Sequence, residues 1–406
     1  MILSEPVIGR KRTGSFRRIH GLLLGILCAV LLVGTIAQPF LPRLLETSVV
    51  WLRLVLVPVL IWAVMLDLTE RFCVLLISVL WLGLETLHDS PLVKTDYIAL
   101  LSMLTCLPYF TAGLKLRLAD GLAPMWHAIL WSAFVVNIVT LVLYGLGLSS
   151  HPIVAEVLAT VRREGEDPNF RFALGNAIEV PAALSIATVA SLAALGRPTS
   201  YIPVALMLNF AAAIVSQSRI VLLIAAYPVF GLWRHFSRPG KIVAITLVTV
   251  AVCWQSYYIT DTWASIRERY SGQDAGSAIS RIERVRLVYQ HMDIGCLTFG
   301  HGVYSSVRLM EANGFGYLSV ESALLQLFYE KGLLSILIFL GYLGYALRAR
   351  GCRLVYSLPL ALVLLQVLML LPVNSYMPLS FFCIGVLCAG RRKERDGWHG
   401  HPAIKP

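Results

Sequence analysis

Charged residues are scarce in this sequence. Asp, Glu, Lys and Arg together make up 14% of the 406 residues, whereas about a quarter of an average water-soluble domain is charged. Hydrophobic residues make up 57%. A water-soluble domain of this length needs a polar surface that this composition does not supply. The sequence therefore predicts an integral membrane protein.

The sequence also lacks the residue spacings of metal sites and disulfide frameworks. It has no C-x-x-C pair, and Cys296 is the only cysteine in the longest loop between apolar runs. The histidines expected on the outer side of the membrane have no partner at metal-ligand spacing; they are His88, His151, His291 and His301. We therefore expect no metal and no other cofactor.

Positive charge is in excess, with a formal net charge of +11. In a soluble chain this excess would suggest nucleic acid as a partner. Here the basic residues lie mainly in short connections and at both ends of the chain, and cytoplasmic loops of membrane proteins are enriched in Lys and Arg. The charge therefore indicates membrane topology, and nucleic acid is not an expected partner.

Apolar runs recur at about the 20-residue length that crosses a hydrocarbon core. The sequence predicts twelve such helices, at 20–39, 46–66, 72–87, 95–113, 126–148, 177–195, 200–217, 219–234, 240–258, 321–347, 354–372 and 376–390. Basic residues mark every second connection, for example Lys115, Arg197 and Arg350, which places both termini in the cytoplasm. The predicted fold class is an all-α integral membrane protein with twelve transmembrane helices.

Two connections on the outer side are long, at 149–176 and 259–320. The chain is thus divided into nine helices over 1–258, the large loop, three helices over 321–390 and a cytoplasmic tail at 391–406. The large loop is rich in aromatic residues, so we expect it to form an ordered cap on the membrane surface. No internal repeat is apparent, which argues against transporter folds built from duplicated halves.

One stretch of the large loop, 280–292, combines helical spacing with arginines. Its apolar positions at helical spacing are Ile282, Val285, Tyr289 and Met292. Of its arginines, Arg281, Arg284 and Arg286, the first two are three apart and share one side of a helix. Arginine binds phosphate oxygens in bidentate fashion. The alternative is that the arginines lie on a solvated face and pair with Glu283 or Glu268. The spacing does not decide between phosphate binding and a solvated face.

Arg219 lies in a polar interruption, Ser216-Gln217-Ser218-Arg219, between two apolar runs at the predicted outer face. A charge at membrane depth is costly, so such a residue is a candidate for function. Snorkelling to lipid phosphates is the structural alternative, but the positive-inside rule disfavours an arginine in the outer leaflet. We therefore expect a functional role for Arg219.

The apolar helix after the large loop carries three further polar features. Glu321 opens it, where a carboxylate is either a favourable partner of the helix dipole or a general base. Glu330 and Lys331 stand next to a break at Gly332, and an ion pair between them would stabilise the broken helix. Before this helix, Gly300-His301-Gly302 is too short for a phosphate cradle and predicts a tight turn.

The segment from Arg281 to Gly344 resembles the O-antigen polymerase and ligase superfamily of bacterial surface polysaccharide assembly. Members have an arginine-led amphipathic helix, then a Gly-x-Gly turn, then a helix with a pattern like His-Asn-x-Tyr-Leu-Gln-x-x-x-Glu-x-Gly. Arg281, Gly300-His301-Gly302 and the run from Glu321 to Gly332 match these elements. Ser218-Arg219 is similar to the family's Ser-Arg, and Arg171 lies in a looser match to its Arg-x-x-Gly-x-x-Gly-Asn.

The resemblance implies glycosyl transfer at the periplasmic face of a bacterial inner membrane. The implied donor is a glycan on undecaprenyl pyrophosphate, and the acceptor is a sugar hydroxyl on another lipid-linked repeat unit. The implied site consists of Arg219, Arg281 and Arg284 for the pyrophosphate, Glu321 for the acceptor proton, and Arg171 and Tyr317 for the substrate. Further expected partners are the lipid bilayer and a chain-length regulator and flippase of the same pathway.

Two alternatives to a polymerase stay open. The first is a ligase, which transfers glycan to lipid A–core or to protein. The family's ligases carry histidine where this chain has Glu321, and the absence of that histidine favours the polymerase. The second alternative is a flippase or transporter for lipid-linked sugars. A transporter would carry polar residues near the middle of the membrane, whereas the notable charges here cluster toward one face.

Overall fold

The computed structural model describes residues 48–86, 94–117, 123–145, 179–195, 202–215, 219–233, 238–242, 245–246, 249, 275–315, 322–349 and 377–389. Within these residues all regular structure is helical and no strand occurs. A π-helical turn, Leu52–Leu56, continues into the first of the α-helices. The α-helices are α1 Val57–Val64, α2 Leu68–Thr86, α3 Lys94–Arg117, α4 Ala123–Gly145, α5 Glu179–Leu195, α6 Ile202–Val215, α7 Arg219–Leu232, α8 Ala275–Gln290, α9 Ile294–Phe299, α10 Ser305–Ala312, α11 Ala323–Ala349 and α12 Met377–Cys388.

Nine of the twelve predicted apolar helices coincide with helices of the described residues, and their ends agree to within four residues when the first of them is taken as Ser48–Val64. The predicted helices at 20–39 and 354–372 lie outside the described residues, and the one at 240–258 does so except for a few positions. The all-α prediction is confirmed for the described part of the chain. The number of membrane spans stays a prediction.

Both α2 and α3 extend further at one end than the sequence predicted, because local contacts stabilise the extra turns. Glu70 accepts a hydrogen bond from the backbone N–H of Asp67 at 3.0 Å, which is one half of a capping box at the start of α2. Near the end of α3, Lys115 Nζ lies 3.2 Å from Glu70 Oε2 and 3.3 Å from Asp67 Oδ1. The charged residues that sequence alone assigns to connections thus belong to the helix ends.

Two described helices are long and apolar enough to cross a membrane by length and composition: Tyr97–Leu116 within α3 and Leu324–Ala349 within α11. Four shorter apolar helices accompany them, at Ser48–Val64, Trp126–Ile138, Pro203–Ala213 and Met377–Cys388. The α3 segment is mostly buried inside the structure, whereas most of the α11 segment faces outward. Two helices of the described part could therefore span a bilayer.

The helices α2 and α11 bury polar side chains and expose apolar ones. The exposed face of α2 consists of Leu68, Phe72, Leu75, Leu76, Val79 and Leu82, and that of α11 includes Leu333, Leu334, Leu337 and Leu340. Their buried faces contain Glu70 and Glu85 on α2, and Glu330 and Lys331 on α11. This arrangement inverts that of a water-soluble helix and is typical of helices surrounded by lipid.

The centre of the structure is α3, which packs closely against α12. Gly113 of α3 faces the backbone carbonyl of Phe382, and Gly385 of α12 faces the backbone carbonyl of Phe110. A Cβ atom at either glycine would overlap that carbonyl oxygen. Small residues at a helix crossing allow backbones to approach in this way, as they do between membrane helices. The two glycines therefore set the distance between α3 and α12.

Replacing Gly385 by valine is expected to destabilise the protein by about 1–3 kcal/mol or more, because the added atoms overlap backbone that cannot rotate away. Thermal denaturation of the detergent-purified protein would measure this as a lower Tm. Gly83→Val on α2 is the matched control, since a Cβ at Gly83 meets no atom within 4 Å. Equal Tm values for the two variants would contradict the close packing of α3 and α12.

Hydrogen bonds between side chains connect the remaining helices to one another. Tyr342 of α11 and Thr111 of α3 share a hydrogen bond of 2.8 Å between their hydroxyl groups. Asn137 of α4 donates to Asn209 of α6 at 3.2 Å, and Asn209 donates to Ser185 of α5 at 3.3 Å. All five residues are buried. Polar pairs of this kind hold helices together where no water competes for the bonds.

The described part of the large loop, residues 275–315, forms a cap of three helices, α8 to α10, as the sequence predicted for an ordered loop. Val288 of α8, Met310 of α10 and Tyr329 of α11 form its buried core. The predicted apolar stripe on α8 was partly wrong, because Ile282 and Tyr289 are exposed by 66% and 63%. The face of α8 that contacts α10 and α11 runs instead through Val288.

Candidate functional site

The predicted Gly-His-Gly turn lies directly against the predicted helix break. The backbone N–H groups of His301 and Gly302 donate to the carbonyl oxygens of Tyr329 and Glu330, at 2.9 and 3.0 Å. Those carbonyls are available because α11 is interrupted at Gly332, which has φ 70° and ψ 170°. Both the tight turn and the break at Gly332 are thus confirmed, and each supplies hydrogen-bonding groups to the other.

The contact between the turn and the break depends on a glycine on each side. Gly300, with φ 81°, approaches the backbone of Glu330, and Gly332 approaches the backbone of Thr298. A Cβ atom at either position would overlap a carbonyl oxygen of the other segment. Both glycines also have φ values in the left-handed region, which side chains with a Cβ rarely adopt. Glycine is therefore required at both places.

Lys331 forms a buried ion pair with Glu85 near the end of α2, and the predicted pair between Lys331 and Glu330 is wrong. Adjacent residues on a helix point in different directions, so Lys331 reaches α2 while Glu330 faces α10. The second oxygen of Glu85 accepts the backbone N–H of Val303 at 2.8 Å. One carboxylate thereby joins α2 to both α11 and the turn. Lys331 also lies over the ring of Trp81, 5.9 Å from its centre.

Glu330 stands at the beginning of α10. Its Oε1 atom accepts hydrogen bonds from the hydroxyl of Ser306 at 2.5 Å and from the side-chain amide of Gln326 at 3.0 Å. The chain enters α10 through Tyr304, which has φ 65°, and α10 begins at Ser305. A carboxylate at this end of a helix is favoured by the helix dipole and by the free N–H groups of the first turn. Glu330 therefore fastens α10 to α11.

We call this set of contacts the clasp; its residues are Glu85, Gly300, Val303, Ser306, Gln326, Glu330, Lys331 and Gly332. All of its side chains are buried, and none is more than 5% exposed. A buried charge is costly unless it is paired and hydrogen-bonded. Here Glu85 and Lys331 satisfy each other, and Glu330 has two side-chain donors. The clasp is suited to holding the cap on α2 and α11 and has no open side chain for a reaction.

Of the arginines of α8, Arg284 is the one that the structure shows to be buried. Arg284 is 4% exposed and lies one turn before Val288, which packs on Met310 and Tyr329. Burial excludes the solvated-face alternative for Arg284, whereas Arg286 is exposed and fits it. The helix predicted for Arg281 and Arg284 is present, so the two residues share one side of α8 by position.

The histidines of the cap have structural contacts. The ring of His301 packs on Tyr329 with centres 4.6 Å apart, and its Nε2 lies 3.2 Å from the backbone oxygen of His291. His291 Nδ1 lies 2.9 Å from the backbone oxygen of Leu287. Among the described residues no group of three or more His, Cys, Asp or Glu side chains could hold a metal ion.

Several predicted site residues fall outside what the structure describes. Arg219 is the first residue of α7, which agrees with the predicted start of that helix. The structure describes the backbone of Arg219 and of Arg281 but not their side chains. Glu321, Tyr317 and Arg171 lie outside the described residues. The roles predicted for all five stay predictions.

The start of α11 bears on the structural alternative for Glu321. The hydroxyl of Ser322 accepts the backbone N–H of Leu325 at 3.3 Å, and the Ser322 carbonyl accepts the N–H of Gln326 at 2.8 Å. This is the geometry of a serine N-cap. The helix therefore has its side-chain cap in Ser322, and both alternatives for Glu321, a partner of the helix dipole and a general base, stay open.

Sequence reasoning missed Glu85, which is the residue that joins α2 to the clasp. Its signal was present, because an acidic residue near the end of a long apolar run is unusual enough to indicate a buried partner. The partner itself lies 246 positions away, and no local pattern identifies it.

Comparisons of the chain with family models, curated proteins and solved structures find no match.

Proposed function

We propose that the protein is a membrane-embedded glycosyltransferase that polymerises bacterial surface polysaccharide from undecaprenyl-pyrophosphate-linked repeat units. One observation carries the proposal: of the elements that give the resemblance to the O-antigen polymerase and ligase superfamily, the Gly-x-Gly turn and the described part of the following helix pattern contact one another. Gly300, Gln326, Glu330 and Gly332 belong to the clasp, and the N–H groups of His301 and Gly302 donate to the carbonyl oxygens of Tyr329 and Glu330. Short motifs spread along a sequence gain weight when each has a defined contact with the others.

The proposed topology has twelve spanning helices with both termini in the cytoplasm. Supporting contacts occur at both predicted faces. Glu85, the cap and the start of α11 are all assigned to the outer side, and they meet in the clasp. Glu70 and Lys115 are assigned to the inner side, and they form an ion pair. The inverted polarity of α2 and α11 also favours lipid as their surroundings.

In the proposed reaction, the bond between the anomeric carbon of the donor glycan and the pyrophosphate oxygen breaks, and a bond to the acceptor hydroxyl oxygen forms. The pyrophosphate leaves with the electron pair, and Glu321 takes the proton of the acceptor hydroxyl. Charge that develops on the leaving pyrophosphate is stabilised by Arg219, Arg281 and Arg284 in a site with little water. Arg171 and Tyr317 are proposed to contact the sugars.

Burial of Arg284 supports its assignment as a ligand of the pyrophosphate. A buried arginine interacts strongly with an anion, because water screens its charge less than that of an exposed one. Glu321 directly precedes Ser322, the N-cap of α11, in the sequence. Its proposed role as the base comes from the resemblance and from the ability of a carboxylate to accept a proton.

Arg219→Ala and Glu321→Gln are each expected to lower polymer formation by about 100-fold or more, because the first removes charge stabilisation and the second removes the base. The protein in nanodiscs would be incubated with its lipid-linked repeat unit, and the products separated as a ladder. Arg286→Ala, which removes an exposed arginine of α8, should leave the ladder within about twofold of wild type.

The outcomes of this experiment separate the three candidate functions. A ladder made by the wild type and lost in Arg219→Ala and Glu321→Gln supports the polymerase and both roles. Transfer onto a supplied lipid A–core acceptor without a ladder would indicate a ligase. A wild-type protein that transfers no glycan to either acceptor would contradict both enzymes and favour a transporter of lipid-linked sugars.

A further inference from the structure

We propose that Glu85 is a positioning residue for this glycosyl transfer, an inference that rests on the proposed function. Glu85 belongs to none of the motifs that carry the resemblance, and it lies on α2, far from them in sequence. Its side chain is buried and its partners are protein groups, so it acts on the reaction through the residues that it holds. It fixes the cap, and with it the arginines of α8, to the spanning helices.

The first step of the argument is the geometry at Val303. Its backbone N–H donates to Glu85 Oε2 at 2.8 Å, and its carbonyl oxygen accepts from Arg308 Nη2 at 3.1 Å. Val303 is itself 1% exposed and lies two residues before α10. Glu85 supplies the contact from α2 to this residue, and it also pairs with Lys331 of α11. The turn is thus held by two spanning helices at one point.

The second step connects the turn to the arginines. Met310 of α10 packs on Val288 of α8 and on Tyr329 of α11. Val288 lies one helical turn beyond Arg284, and both are buried. A movement of the turn therefore moves α10, and α10 moves α8, because packed side chains of this kind transmit a displacement rather than absorb it.

The third step concerns which kinetic constant depends on Glu85. In the proposed reaction the arginines act on charge that develops when the pyrophosphate leaves. Misplacing a catalytic group by about 1 Å can cost about 100-fold in rate. An interaction made mainly in the transition state affects kcat, whereas loss of uniform substrate binding affects KM. Loosening the cap should therefore lower kcat for polymer formation and leave the KM for the lipid-linked donor nearly unchanged.

The helix α2 offers a matched control in Glu70. Like Glu85, Glu70 is a buried glutamate of α2 that pairs with a lysine, here Lys115 at 3.2 Å. It lies at the opposite end of α2, where it accepts the backbone N–H of Asp67. Glu70→Ala therefore reproduces the loss of a buried acidic partner without releasing the turn.

The test compares kcat and KM of Glu85→Ala and Glu70→Ala in the ladder assay. We expect kcat to fall at least about tenfold for Glu85→Ala with KM within about twofold of wild type, and kcat of Glu70→Ala to stay within about twofold. Glu85→Gln keeps an oxygen that can accept the Val303 N–H, so it should recover part of the lost kcat. If Glu85 had a merely structural role, Glu85→Ala would lower the yield of folded protein, and the folded protein would have the kcat of the wild type.

Two safeguards keep the test decisive. Because Glu85→Ala leaves Lys331 buried without its partner, the double variant Glu85→Ala/Lys331→Met removes both charges, so that no unpaired charge is left in the interior. It still lacks the acceptor for Val303, so it should show the same loss of kcat. Hydrogen exchange of the backbone amides at 300–306 gives a readout that is independent of activity. It should be faster in Glu85→Ala and in Glu85→Ala/Lys331→Met than in Glu70→Ala.

Two results would overturn the inference. Unchanged exchange at 300–306 in the Glu85 variants would mean that Glu85 does not hold the turn. Faster exchange with wild-type kcat would mean that the reaction does not depend on the position of the cap. A wild-type protein without transfer activity would instead refute the proposed function, and faster exchange would then still support the part of the inference that concerns the cap.

Discussion

Lys331→Met is expected to lower the free energy of unfolding by about 3–5 kcal/mol, because it leaves the carboxylate of Glu85 buried without its charged partner. Both side chains are almost fully buried, and Glu85 lies in the interface between α2 and α11, where water cannot replace the lysine. Denaturation of the purified protein, in detergent and with wild type alongside, measures the change.

The double variant Glu85→Gln/Lys331→Met is the control for this prediction. Replacing a buried ion pair by uncharged residues of similar volume is often neutral or even stabilising, so the double variant should recover most of the loss. A double variant as unstable as Lys331→Met would mean that the lysine contributes through its contact with Trp81 rather than through Glu85. The two measurements together determine how much of the stability comes from charge pairing.

Gly332→Ala is the second substitution with a large expected effect, about 2–6 kcal/mol of destabilisation. Its backbone, at φ 70° and ψ 170°, lies in a region that is essentially restricted to glycine and costs other residues about 1–3 kcal/mol. The new methyl group would also overlap the carbonyl of Thr298, and forcing atoms into a packed contact adds about 1–3 kcal/mol. Thermal denaturation would report the sum as a lower Tm.

Two further glycines separate these contributions. Gly314 has φ 80° but open space around it, so Gly314→Ala should show only the backbone cost. Gly341 is helical within α11 and also has open space, so Gly341→Ala should be neutral or slightly stabilising. The expected order of Tm is Gly341→Ala highest, then Gly314→Ala, then Gly332→Ala. If Gly314→Ala and Gly332→Ala had the same Tm, the close contact with Thr298 would be refuted.

The helices themselves were predictable from sequence because their signal is local. Long apolar runs separated by charged or glycine-containing connections determine where a helix can lie in lipid, and this gave helix ends within four residues. The break at Gly332 was also visible, since glycine next to a charged pair interrupts an otherwise apolar helix. These features depend on neighbours in the chain and not on distant contacts.

The partner of Lys331 was not predictable, because it depends on which helices pack together. Sequence proximity suggested Glu330, but neighbouring residues on a helix face different directions and the acceptor came from α2. The buried face of α8 was missed for a related reason. Stripes through Ile282 or through Val288 both have helical spacing and share Val285 and Met292, so periodicity alone could not choose between them.

The sequence separation within the clasp has a consequence for how the protein is made. Glu85 is synthesised 246 residues before Lys331. At about 5–20 residues per second of translation, this interval lasts about 12–50 s. During part or all of that time the final partners of the Glu85 carboxylate, the N–H of Val303 and the ammonium group of Lys331, have not yet been made. The full set of contacts that fastens α2 to the clasp can therefore form only after Lys331 of α11 has been synthesised.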